Sequence, residues 1–73
     1  MQKESNALWD QMAGQWKQFS GHVRKAWGKL TDDDIEQIKG QRDVLAGRIQ
    51  ERYGITREEA DRQIQNWADK LKI

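Results

Sequence analysis

Twice in 73 residues the chain uses one phrase. Trp27-Gly28-Lys29-Leu30-Thr31-Asp32-Asp33-Asp34-Ile35 and Tyr53-Gly54-Ile55-Thr56-Arg57-Glu58-Glu59-Ala60 both run aromatic, Gly, apolar residue, Thr, then an acid three places after the Thr. Each phrase closes one helix and opens the next. Gly28 and Gly54 are expected to take the left-handed conformation that ends a helix without a Cβ penalty. Thr31 and Thr56 follow as N-caps, their hydroxyls accepting orphan backbone N–H groups. Asp34 and Glu59 fall at the third helical position, where an acid completes a capping box. Leu30 with Ile35, and Ile55 with Ala60, stand where a hydrophobic staple packs. The sequence therefore specifies helix-turn-helix connections, and an all-α chain.

Composition supports a folded domain of modest stability. A chain of this length buries only about 60% of its unfolded surface. Hydrophobic residues make up 36% and charged residues 34%, against roughly 45–50% and 25% in ordinary domains, so disorder is a real alternative. Four Trp, one Tyr and one Phe at helical spacing, with a net charge of only +1, decide for folding. No Pro bars any position from a helix interior. The absence of Cys excludes disulfides and thiolate metal sites. Residues 1–6 lack the apolar stretch of a signal peptide, and no run approaches a membrane span, so a soluble, cytoplasmic protein is expected.

The apolar stripe Trp9, Met12, Trp16, Phe19, Val23, Trp27 predicts one helix from about Asn6 or Ala7 to Trp27. Gly14 and Gly21 interrupt it; Gly21 is read as a place where another backbone approaches. A short helix from Asp32 carries Ile35 and Ile38 inward, and Gly40 ends or kinks it. A third helix, from about Gln41 to Tyr53, presents Leu45, Ile49 and Tyr53, with Gly47 read as a close-packing site. The fourth, Arg57 to about Leu71, aligns Ala60, Ile64, Trp67 and Leu71, and pairs Glu58 with Arg62. The expected fold is a small bundle of about four helices arranged as two crossed helical hairpins. Its core is expected to hold Trp16, Phe19, Val23, Trp27, Leu30, Ile35, Ile38, Leu45, Ile49, Tyr53, Ile64 and Trp67. Residues 1–13 are read as an N-terminal extension, partly helical or frayed, and residues 14–73 as the helical domain.

The stretches QWKQFSGHVRKAWGKLTDDD and GQRDVLAGRIQERYGITREEA resemble the CsbD-like family of small bacterial proteins. The resemblance runs from about Gln15 to Trp67. It implies a bundle of about four helices in a SAM-like arrangement and an association with general stress responses. No activity, cofactor or defined ligand comes with it.

Candidate chemistry is sparse. Asp32-Asp33-Asp34 suits a helix N-terminus better than a calcium loop, which needs ligands at alternate positions, a Gly and a distal Glu. His22, the only His, has neither Cys nor a second His with which to build a zinc site. No nucleophile–base pair or phosphate-cradling glycine loop is present, so no catalytic residue, metal or cofactor is expected. Two surfaces could meet a partner: Trp9, and the basic edge Lys17, Arg24, Lys25 and Lys29. The leading expectation is a non-enzymatic, hydrophilic stress-response protein acting through weak contacts. The alternatives are a salt-dependent binder of nucleic acid or phosphate surfaces using the basic edge, and a self-associating or partner-binding helical module.

Overall fold

The apolar stripe expected to run unbroken to Trp27 lies on two helices. The computed structural model describes residues 3–71, with side chains from residue 8 onward; residues 1–2 and 72–73, which the expected domain ranges include, lie outside the described residues. Five helices follow in order: α1 (Lys3–Gly14), α2 (Trp16–Ala26), α3 (Asp32–Ile38), α4 (Arg42–Tyr53) and α5 (Arg57–Leu71). The count exceeds the expected four because Gln15, at φ −128° and ψ 43°, leaves helical geometry directly after Gly14. The break falls where helix propensity is lowest. It is short: the Gln15 N–H still bonds to the Gln11 and Met12 carbonyls, and the Gln15 carbonyl accepts from Gln18 and Phe19. The apolar stripe survives it, with Met12, Phe19 and Val23 all buried.

Each helix packs mainly on its sequence neighbour, most extensively α4 on α5. Met12, Val23, Ile38, Leu45, Ile49 and Ile64 are fully buried, and Phe19, Trp27, Leu30 and Ile35 nearly so. Trp16, Tyr53 and Trp67 are half-buried at the rim of this core. Their large rings cover it while their polar ends stay within reach of partners. Ala46, Ala60 and Ala68 complete the interior. Met12 sits within the segment expected to be an extension, and it is wholly enclosed.

The two capping phrases build different geometries. At the first, Thr31 accepts from the Asp34 N–H at 3.1 Å while Asp34 accepts from the Thr31 N–H at 3.0 Å, a complete capping box. Gly28, however, is not left-handed: α2 ends at Trp27, at φ −128° and ψ 83°, and a turn closes from the Leu30 N–H to the Trp27 carbonyl at 3.2 Å. The buried Trp27 side chain sets where the chain leaves α2, so Gly28 carries no conformational demand. At the second phrase Gly54 is left-handed, at φ 63°. Thr56 there accepts from the Glu59 N–H at 3.0 Å, but the Glu59 carboxylate turns to Arg62 and Gln63, leaving that box half made. Arg62 thus pairs with Glu59 rather than with the expected Glu58.

Three further glycines part ways. Gly21 and Gly47 were expected at close backbone approaches, yet nothing lies within 4 Å of where a Cβ would stand on either. The close approach is at Gly40 instead. Lys39 is the left-handed C-cap of α3 at φ 46°, Gly40 follows at φ 80°, and the α1 backbone at Ala13 lies against it. Gly47, exposed in the middle of α4, serves no packing purpose. Gly47→Ala is accordingly expected to stabilise the protein by about 0.5–1 kcal/mol in a thermal or urea melt; unchanged or lower stability would contradict that reading.

Candidate interaction surface

Sequence reasoning treated Asp34 as a cap and Arg52 as an exposed side chain; the fold joins them. Asp34 is only 3% exposed. Its carboxylate accepts from Arg52 Nε at 2.7 Å and from the Arg52 terminal nitrogen at 3.1 Å, with Arg48 Nε 3.9 Å away. The Arg52 guanidinium, opposed by the desolvation of burial and helped by the Thr31 hydrogen bonds, lowers the Asp34 pKa from 3.8 to about 2. The pair ties the start of α3 to the end of α4. It answers a structural need: the carboxylate is fully engaged by protein donors, and no groove described here opens onto it.

The indoles are similarly committed. Trp16 Nε1 donates to the Ile35 carbonyl at 2.9 Å, tying α2 to α3. Trp27 Nε1 donates to Gln63 at 3.0 Å, and its ring lies 5.3 Å from that of Trp67. Trp9 in turn packs on Trp67 at 6.2 Å, so the residue offered as a partner surface is half-buried against its own chain. Gln63 escaped sequence reasoning. The only signal was its place one helical turn before Trp67, which puts both on one face of α5.

The basic edge does not act as one array. Arg24 is ion-paired with Asp32. The Lys29 ammonium sits 5.2 Å over the Tyr53 ring, while the Lys29 N–H bonds to the Tyr53 hydroxyl at 3.0 Å. Lys17 and Lys25 have no ion-pair partner among the described residues. His22 is exposed, with the Phe19 ring 6.1 Å away. Among the described residues no three His, Asp or Glu side chains gather as a metal set would. No described helix is long and apolar enough to cross a membrane.

Between α2 and α3 runs an open groove of about 630 Å³. Trp16 and Ile35 form its apolar floor, and charged side chains of both helices form its walls.

These features define a small all-helical protein of five helices whose aromatic core is closed by caps and ion pairs of its own. The chain belongs to the CsbD-like family, which it matches over residues 10–62. That match begins within α1. It is 54% identical over 63 residues to the UPF0337 protein ECA0631 of Pectobacterium atrosepticum, covering 86% of this chain and 91% of the relative. It is 52% identical over 58 residues to the UPF0337 protein YjbJ of Escherichia coli K12, covering 80% and 84%. To a UPF0337 protein of Bordetella pertussis it is 48% identical over 61 residues, covering 84% and 92%. No solved structure matches the chain.

Proposed function

We propose that this is a non-enzymatic bacterial stress-response protein of the cytoplasm, a folded hydrophilic protectant that works through weak, transient contacts. The observation that carries the reading is how the charge is distributed. Charged residues make up 34% of the chain and mean hydropathy is −1.10, yet net charge is only +1. Opposite charges are interleaved in surface pairs: Arg24 with Asp32, Arg48 with Glu51, Arg57 with both Asp43 and Asp61, Arg62 with Glu59. Such pairs contribute little to stability, each about 0–1 kcal/mol. They do keep the surface strongly hydrated without a long-range field, which favours solubility beside other macromolecules over tight binding to any one of them. The family's association with general stress points the same way.

The test is a labile enzyme heated or dried with an equimolar amount of this protein. Slower loss of its activity than with an inert protein of equal mass is the expected result. Identical decay curves would sink the protective reading.

A further inference from the structure

We infer that the α2–α3 groove seats a second copy of this chain, packed antiparallel across α2 with the two Gly21 positions at the crossing. The starting point is Gly21 itself. It stands mid-helix, exposed, with nothing within 4 Å of where its Cβ would be. A mid-helix glycine weakens a helix by up to about 1 kcal/mol relative to Ala. At Gly40 the fold requires one; at Gly21 nothing inside the chain does. Gly21 also lines the groove, and a missing side chain there lets another helix backbone come close.

The walls of the groove identify the occupant. Trp16 bonds to Ile35 and Arg24 pairs with Asp32, so α2 and α3 run in opposite directions along it. The α2 wall is basic, with Lys17 and Arg24; the α3 wall is acidic, with Asp32 and Glu36. A polyanion or an acidic peptide would meet those two carboxylates. A surface bearing a basic row beside an acidic row is instead complementary to itself under a two-fold rotation. With α2 helices antiparallel and centred on Gly21, Lys17 of one copy reaches the Asp32 end of the other, and Arg24 reaches Glu36. Lys39 lies at the same end as Lys17 and also meets Asp32 of the second copy. Arg24 and Asp32 are 50% and 83% exposed within their own pair, so both remain open to a second partner. Trp16 and Ile35 supply the apolar centre.

A patch built on two short helices falls short of the roughly 20–30 residues a side of a standard interface. The dimer is therefore transient, forming at tens to hundreds of micromolar. This inference stands apart from the protective reading: either can fail alone.

Sedimentation velocity and amide NMR on the full chain, from about 10 µM to about 1 mM, test it. The expected result is a rise in mean mass with concentration and shift changes confined to α2 and α3. Gly21→Leu fills the groove on an open helical position, so it keeps the fold and is expected to weaken association about tenfold or more. Glu36→Lys leaves every intrachain ion pair among the described residues intact and is expected to weaken it several-fold. A constant monomer mass up to the highest concentration overturns the proposal. So does association that survives Gly21→Leu, or shift changes centred on Trp9 and Trp67. Salt-sensitive binding of a nucleic acid to the groove of a chain that stays monomeric would assign it to a polyanion instead.

Discussion

Gly40→Ala is expected to be the most damaging single-methyl addition in this protein, lowering stability by about 3–5 kcal/mol. Two costs combine. At φ 80° any side chain is strained, by roughly 1–2 kcal/mol. The added Cβ would also lie 2.5 Å from the Ala13 Cα and 2.7 Å from its nitrogen. Those are backbone atoms, so no rotamer change relieves the clash; α1 has to lift away and expose Met12. A domain of this size has only about 4–10 kcal/mol in total. The melting temperature should fall by more than about 12 °C, and trimming the neighbour in an Ala13→Gly/Gly40→Ala double variant should not restore it. A loss below about 1 kcal/mol would show that α1 is not clamped at this point.

The second large effect belongs to Asp34. Asp34→Asn is expected to destabilise by about 2 kcal/mol at pH 7, because it weakens a cap and the charge of a two-point Arg52 bond together. The pH dependence supplies a separate check. The folded-state pKa of about 2 lies below the ordinary 3.8. The stabilisation is therefore complete above about pH 5 and is lost as pH falls through 3.8 towards 2. Arg52 is 42% exposed, so solvent screening holds this contribution to about 1–2 kcal/mol. Urea melts of the two proteins should differ most near neutral pH and converge near pH 2. A gap that stays constant across that range would mean the Asp34 charge is not what holds α3 to α4.

Local signals led to correct structure where the deciding contacts were themselves local. Thr31, Asp34, Gly54 and Thr56 act within one turn of their own positions, and each takes up its capping geometry. The apolar periodicity of α2 through α5 likewise points at the core. Failures arose where a distant partner decided the outcome. Gly21, Gly40 and Gly47 look alike along the chain, and only the placement of Ala13 separates them. Gly28 was overruled by the burial of Trp27. Asp34 and Arg52 are eighteen residues apart, and nothing in either's neighbours announces the other. The α2–α3 groove was half visible: Lys17 and Arg24 stood out as basic, but the opposing Asp32 and Glu36 could be set against them only once α3 had folded back.

The run of rings from Trp27 through Trp67 to Trp9 has a consequence during synthesis. Trp9 leaves the ribosome early, and its stacking partner is made fifty-eight residues later. Helices α1 to α4 can dock as they emerge, each on the one before, but Trp9 must wait. Every nascent chain shorter than about 67 residues thus displays an unmatched indole beside the partly assembled core, and translation to α5 is what withdraws it from view.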